Sequence, residues 1–351
     1  MSDSSTPPPH RDRNIEPRDH FGRPVRDLRI SVTDRCNFRC PYCMPREMFG
    51  PDFAFLPHAQ LLTNEEFARV AAAFARAGVT KLRITGGEPL IREDLPELLE
   101  RFRKIPGIRD LSLTTNGWFL AERASALVAA GLRRINVSVD ALSDAIFRKM
   151  NGRGFPVARV LEGIEAARTA GLSVKINMVV QRGVNESEVL PMARHFRERG
   201  ITLRFIEYMD VGNANGWQRE HVVPAREILR LISTEYPLEP LDPNYRGEVA
   251  TRYRYVGTDT EIGVISSISE PFCRDCHRAR LSADGKIFTC LFASSGTDVK
   301  TPLRDGISDT ELDTFIRDLW SGRRDRYSEE RAENAEAAAQ HRKVEMSYIG
   351  G

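Results

Sequence analysis

At 351 residues the chain exceeds one small domain, and it can bury enough apolar surface to fold without disulfide or metal staples. Hydrophobic residues at 41% and charged residues at 28% exclude disorder throughout, and no run of about 18 apolar residues could span a membrane. The 51 basic and 49 acidic residues leave a net charge of +2, so no global field draws the chain to nucleic acid or anionic lipid. Any polyanion site must be local.

Residues 1–22 are polar, with Pro7 to Pro9 and mixed charges but no apolar signal-like core. They read as the disordered leader of a cytoplasmic chain. From residue 23 strands and helices alternate. Residues 28–33 alternate apolar and polar and run straight into Cys36. Thr63-Asn-Glu-Glu66 has capping-box spacing and opens a helix that Gly78 stops. Strand 81–85, a helix over 94–104, strand 110–115 and a helix over 120–130 follow. Next come strand 134–139, a helix over 157–170 and strand 173–180. Asn185-Glu-Ser-Glu188 reads as a second capping box, opening a helix that Gly200 ends, and strand 202–207 is the sixth.

Six β–α units call for a parallel sheet with right-handed crossovers. Eight would close a TIM barrel, so the expectation is an α/β protein with a partial (βα)6 TIM-like barrel over 23–215; a doubly wound sheet is the alternative. Polar motifs fall at five strand ends, where chemistry sits in either architecture: Cys36, Gly86-Gly87-Glu88, Thr114 to Asn116, Ser138 to Asp140, and Glu207 to Met209. Residues 216–351 read as a C-terminal extension covering the open side. It contains strands over 249–255 and 261–268, a hairpin turn at Ser282-Ala-Asp-Gly285 and a helix over 309–320. An apolar, β-prone stretch, Met346-Ser-Tyr-Ile349, precedes Gly350-Gly351.

The six cysteines form two groups, Cys36, Cys40 and Cys43, then Cys273, Cys276 and Cys290. In a reducing compartment this grouping reads as metal binding or catalysis rather than as disulfides. Cys36-Asn-Phe-Arg-Cys40-Pro-Tyr-Cys43 places three soft ligands in one loop. They can cap three corners of a [4Fe-4S] cube and leave the fourth iron open to a chelating amine and carboxylate. A zinc knuckle competes, but zinc takes four ligands and neither histidine nor a fourth cysteine lies near. One unit later, the paired glycines of Gly86-Gly87-Glu88-Pro89 let backbone approach a ligand closely. The second group, Cys273-Arg-Asp-Cys276-His277 with Cys290, leaves three readings open. These are c-type haem attachment, which needs export, a zinc site that includes His277, or a second three-cysteine cluster. Arg278 and Arg280 alternate on a strand beside it, suited to bidentate phosphate binding or simply solvated at the surface.

The CxxxCxxC loop, with an aromatic before its last cysteine, resembles the signature of the radical S-adenosylmethionine (SAM) enzymes, and Gly86-Gly87-Glu88 looks like their SAM-amine site. Further segments extend the resemblance: Leu28-Arg29, 81–89, Thr114-Thr115-Asn116-Gly117, 136–140, 204–212, 272–280 and the Gly-Gly end. Together they resemble the GTP 3′,8-cyclases, the molybdenum cofactor biosynthesis protein A family, from about residue 22 onward.

The resemblance implies a lyase that converts GTP to (8S)-3′,8-cyclo-7,8-dihydroguanosine 5′-triphosphate, the first step of molybdenum cofactor biosynthesis. It implies two [4Fe-4S] clusters, one SAM-binding on Cys36, Cys40 and Cys43, one substrate-binding on Cys273, Cys276 and Cys290. SAM contacts would fall on Tyr42, Gly87, Ser138 and Met209. GTP contacts would fall on Arg29, Arg83, Thr114, Lys175, Arg278 and Arg280, five of them cationic, as a triphosphate requires. Catalytic roles would fall on Arg29, Arg278, Arg280, Gly350 and Gly351. Arg83 and Lys175, both on strands, also read as rim residues snorkelling to solvent. Implied partners are a reducing protein such as flavodoxin or ferredoxin, the downstream cyclic pyranopterin monophosphate synthase and a second copy of the chain, with neither nucleic acid nor membrane. Two other readings compete. One is a peptide-modifying radical SAM enzyme with an auxiliary cluster; the other is a non-catalytic iron–sulfur or zinc regulator, which has no use for motifs at five strand ends.

Overall fold

The computed structural model describes residues 16–334 and 340–351. Strands β1 (Asp27–Ser31), β2 (Lys81–Thr85), β3 (Asp110–Thr115), β4 (Arg134–Ser138), β5 (Ser173–Val180) and β6 (Thr202–Glu207) pair in chain order, all parallel. Helices α1 (Asn64–Arg76), α2 (Leu95–Arg103), α3 (Leu120–Ala129), α4 (Asp144–Asn151), α5 (Val157–Thr169) and α6 (Val189–Glu198) lie between them. The expected capping box at Thr63 and Glu66 is present, with each side chain bonded to the other's backbone amide. The strands' two-residue period sorts them into an apolar and a polar face. Leu28, Ile30, Leu82 and Ile84 are fully buried in one core with Phe67, Phe74 and Phe102 of the helices. Each such side chain contributes about 1.5–3 kcal/mol by leaving water. The opposite face carries Asp27, Arg29, Lys81 and Arg83. A charged interior face is the opposite of what packing alone selects, and it marks where the site lies.

The C-terminal extension does more than cover an open side. It comprises α7 (Ala225–Ser233), β7 (Leu238–Leu241), β8 (Thr251–Tyr255), β9 (Glu261–Ile265), β10 (Arg278–Leu281), β11 (Lys286–Phe288), β12 (Thr297–Asp298), α8 (Lys300–Arg304), α9 (Asp309–Ser321) and α10 (Tyr327–Glu333). Strand β9 pairs parallel with β6, and β10 pairs parallel with β1, so the extension adds a strand to each edge of the six. The resulting sheet order is β12-β11-β10-β1-β2-β3-β4-β5-β6-β9-β8-β7, and β12 and β7 do not pair to close it. Ser282 to Gly285 forms the β10–β11 hairpin turn.

Four expectations change. Residues 16–22 of the expected leader are anchored through Asp19, which is buried and ion-paired to Arg23 and Arg323, because an acidic side chain there meets two buried guanidiniums. Residues 1–15 lie outside the described residues. Asn185 does not cap a helix; its amide donates to the Asp140 and Val179 carbonyls and its Oδ1 accepts from Gln181 N. A 3-10 turn over Glu186–Glu188 intervenes, and Glu188 instead accepts from Leu142 N and Ser143 N. Helix α4 was not foreseen, being short and charged. Met346–Ile349 is a helical turn and no strand, closed by Gly350 N donating to the Met346 carbonyl, with Ile349 fully buried.

Candidate active site

The first cysteine loop leaves β1 and is held by backbone and by one buried arginine. Arg39 Nε donates to the Phe49 carbonyl at 2.7 Å, and its Nη1 donates to the carbonyls of Cys36 and Phe38. Gly87 N and Glu88 N donate to the Thr33 and Arg35 carbonyls at 2.8 Å each. A Cβ on Gly87 would stand 2.3 Å from the Arg35 carbonyl oxygen. The paired glycines therefore let β2 abut the cysteine loop, while still facing the cavity. Glu88 is buried and accepts from Thr115 Oγ1, Asn116 N and Leu90 N, which ties the end of β2 to the end of β3. Burial raises it to about 7 against those hydrogen bonds.

One cavity collects all six cysteines together with Tyr42, Gly87, Ser138 and Met209. It also takes in Arg29, Arg83, Thr114, Arg278, Arg280 and Gly351. Tyr42 donates its hydroxyl to Asp140 Oδ2 at 2.7 Å, which fixes the ring at the cavity wall. Burial pushes the Cys36 and Cys290 thiols up to about 12 and raises Cys40 and Cys43 as well. Burial acts the same way on Cys276, but the Arg278 and Arg323 guanidiniums outweigh it and bring that thiol to about 6.

Among the described residues no three His, Cys, Asp or Glu side chains converge closely enough for one metal ion. Thiolates on a single zinc, at about 2.3 Å each, sit about 3.8 Å apart. A [4Fe-4S] cube instead takes each cysteine at a separate corner.

Three neighbouring strands contribute Arg280, Arg29 and Arg83 side by side in register. Burial, with repulsion from Arg83 and Arg280, drives Arg29 well below the usual arginine range, and burial with repulsion from Arg278 brings Arg280 to about 10. An arginine does not give up its proton, so the shift measures crowded positive charge that Asp27 offsets only in part. Arg29 Nε, Arg83 Nε, Arg278 Nη1, Thr114 Oγ1 and Asn177 Oδ1 are buried without a hydrogen-bond partner among the described residues. Buried polar groups in that state call for a partner.

Two expected residues lie off the cavity wall. Lys175 on β5 stands in register with Asn136 and Thr202, deeper in the sheet's polar face, where burial and Arg204 lower it to about 8. Gly350 lies behind Gly351, its carbonyl accepting from Arg280. Sequence reasoning passed over Arg204, Lys81 and Asp27. Asp27 is driven to about 2: burial opposes the shift, while Arg83, Lys81 and Arg29 outweigh it. Asp27 and Lys81 share the strand parity of Arg29 and Arg83, but parity alone does not tell a cavity face from a solvent face.

The radical SAM superfamily matches residues 30–196, and the molybdenum cofactor synthesis C family matches 201–329. The chain is 53% identical over 357 residues to a GTP 3′,8-cyclase of Acidothermus cellulolyticus, covering 95% of this chain and 99% of that one. It is 50% identical over 335 residues to a GTP 3′,8-cyclase of Staphylococcus aureus, covering 95% and 98%. Its fold is similar to Streptococcus suis SuiB bound to S-adenosylmethionine, with a TM-score of 0.60 at 14% identity over 84% of this chain and 68% of that one. Full-length identity of this order sets aside the peptide-modifying and regulatory readings, and the chain belongs to the GTP 3′,8-cyclase family of radical SAM enzymes.

Proposed function

We propose that this protein is a radical SAM cyclase that converts GTP to (8S)-3′,8-cyclo-7,8-dihydroguanosine 5′-triphosphate, opening molybdenum cofactor biosynthesis. The observation that carries the reading is the row of buried guanidiniums with unpaired N–H groups, set in one cavity between two thiol trios. Cys36, Cys40 and Cys43 hold a [4Fe-4S] cluster, and Cys273, Cys276 and Cys290 hold another. When bound, the first cluster and SAM together supply a hydrogen-abstracting radical.

The chain's own residues bind and aim. Tyr42, Gly87, Ser138 and Met209 line the SAM end of the cavity. Arg29, Arg83, Arg278 and Arg280, backed by Lys81, Lys175 and Arg204, hold the triphosphate and fix the ribose relative to SAM. Thr114 supplies a neutral donor, and the Gly350-Gly351 tail closes the cavity against solvent, which keeps the radical from side reactions. Because GTP enters a field that already disfavours its own crowding, binding relieves repulsion as well as forming hydrogen bonds.

A flavodoxin or ferredoxin supplies the electron, and the product passes to cyclic pyranopterin monophosphate synthase. The enzyme works as a homodimer in the cytoplasm; among the described residues no helix is long and apolar enough to cross a membrane. The test is anaerobic incubation with SAM, dithionite and each nucleoside triphosphate in turn. GTP alone is expected to give the cyclised product with stoichiometric 5′-deoxyadenosine. SAM cleavage with no cyclised nucleotide from any triphosphate refutes the assignment.

A further inference from the structure

Three charged side chains that the proposed reaction does not use enclose the second thiol trio. Arg323, its side chain 1% exposed, donates to the Cys276 carbonyl at 2.8 Å and to Cys276 Sγ at 3.3 Å. Its Nε donates at 3.0 Å to the carbonyl of Thr289, the residue before Cys290. Arg23 donates to the Cys273 carbonyl at 2.6 Å and to the Asp325 carbonyl at 2.9 Å. Asp19, fully buried at its carboxylate, bridges the two, accepting from Arg23 Nε at 2.6 Å and Arg323 Nη1 at 3.1 Å. Asp325 completes the set: its Oδ2 lies 3.3 Å from Arg323 Nε and accepts from Thr289 Oγ1 at 2.6 Å.

The three cysteines come from two segments, 273–276 and 289–290, at the two open ends of the β10–β11 hairpin. Arg323 bonds both segments, Arg23 bonds the first, and the Asp19 carboxylate locks the two guanidiniums together. A guanidinium's planar fork makes it suited to hold several carbonyls in fixed relation. Its fourth use here is a hydrogen bond to a ligating sulfur, and such bonds, with burial and charge, set a cluster's reduction potential. Arg39 frames the first trio through backbone carbonyls, whereas Arg323 reaches the thiol itself.

We infer that Asp19, Arg23 and Arg323 form a clamp that positions Cys273, Cys276 and Cys290 to receive their cluster and, through Arg323, raises that cluster's reduction potential. This rests on the reading that the second trio carries a cluster. The three are positioning residues; none faces the substrate row. The segment around Asp19, expected to be a disordered leader, thereby becomes part of the metal site.

The test uses the anaerobically reconstituted full chain and two variants, Arg323→Met and Arg323→Lys. Measurements are iron and sulfide per chain, the redox titration of each cluster's electron paramagnetic resonance signal, and SAM cleavage without GTP. Wild type is expected to hold about eight irons, and Arg323→Met to retain about half, all in the first cluster. SAM cleavage without GTP should stay within about twofold of wild type, since the first trio is untouched. Arg323→Lys keeps the charge but not the fork, and should load the second cluster at a lower midpoint potential with the first cluster's potential unmoved. Full iron and unshifted potentials in both variants overturn the proposal. So does equal loss of both clusters with a lowered melting temperature, which marks Arg323 as structural only. A wild-type chain with about four irons and alkylatable thiols at 273, 276 and 290 overturns the underlying cluster reading, and is told apart by that alkylation.

Discussion

Arg278 and Arg280 leave one strand in the same direction yet meet different surroundings. Arg278 Nη2 donates to Cys276 Sγ at 3.3 Å and its Nη1 has no partner among the described residues, so the chain commits only part of its fork. Arg280 is fully buried and already donates to the Gly350 carbonyl. Arg278→Ala is therefore expected to weaken GTP by about 1.5–3 kcal/mol, the range for a hydrogen bond to a charged group, and to weaken guanosine less. Arg280→Ala should weaken GTP similarly and also loosen the tail, lowering cyclisation further at saturating GTP. Isothermal titration with both ligands checks the first effect; equal losses for GTP and guanosine would signal misfolding.

Lys81 adds a pH dependence. Burial brings it to about 8, Asp27 opposing the shift and Arg83 adding to it; Arg134 and Asp110 act from further away. With a folded pKa below the unfolded value of about 10.4, the cost of holding charged Lys81 is fully present below pH 8. It is relieved as pH rises from 8 toward about 10.4, so ligand-free stability from this residue rises across that window. Bound triphosphate reverses the preference and keeps Lys81 charged. GTP affinity should thus fall severalfold between about pH 7.5 and 9.5, and less in Lys81→Met. Lys175, also near 8, leaves a residual slope. A wild-type affinity flat across that window would show that neither lysine meets the phosphates.

At the scale of elements, the glycine pair after β2 is a spacer whose tolerance can be measured. A Cβ at Gly87 would press on the Arg35 carbonyl, which is backbone and cannot rotate away. Overpacking of this kind typically costs about 1–3 kcal/mol. Gly87→Ala should displace the first cysteine loop, lowering first-cluster occupancy and SAM cleavage together while GTP binding persists. Cys36→Ala should likewise abolish SAM cleavage, whereas Cys276→Ala should leave SAM cleavage without GTP and lose cyclisation; iron content and 5′-deoxyadenosine yield separate the two.

What the sequence made legible follows the range of each signal. The six parallel strands and the Thr63 cap carry their pattern within a dozen residues, and they fold where periodicity and capping put them. Strand β10 joins β1 across some 250 positions, and β9 joins β6 past two intervening strands. No local pattern encodes a partner, so the sheet's two added parallel strands could not be read. Asn185 has capping chemistry, but the Gln181 N–H takes the Oδ1 that would cap the helix, and its amide donates to the Asp140 and Val179 carbonyls. Within the site, the thiols and Arg278-Ala-Arg280 were legible as motifs. Lys81 and Arg204 were not, because a single cation on a strand looks the same whether it faces solvent or the sheet's buried polar face.

For the molecule as a whole, the extension returns the chain to its beginning and lays its last residues into the cavity. The tail's root is anchored well before the glycines. Lys343 Nζ pairs with Asp210 Oδ2 at 2.9 Å, Glu345 Oε1 accepts from Asn213 N at 2.8 Å, and Tyr348 donates its hydroxyl to Asp284. Ile349 is fully buried. Gly350 has φ +76, and a Cβ there would lie 2.1 Å from Thr85 Cγ2, so only glycine fits this bend. Gly351 then faces the cavity. Because the anchors precede the glycines, deleting Gly350-Gly351 should leave the fold, both clusters and GTP affinity within about twofold of wild type. What it removes is the plug and the carbonyl held by Arg280, so cyclisation should fall by orders of magnitude while uncoupled SAM cleavage continues in a cavity now open to water. Gly350→Ala should show the same split, since the strained bend and the Thr85 contact would push the last residue out. A peptide of the native tail added in trans to the deletion variant should restore part of the cyclisation, limited by competition with the truncated tail still anchored through Ile349. Wild-type turnover in the deletion variant would show that the two glycines are a frayed end and that the cavity is sealed by other means.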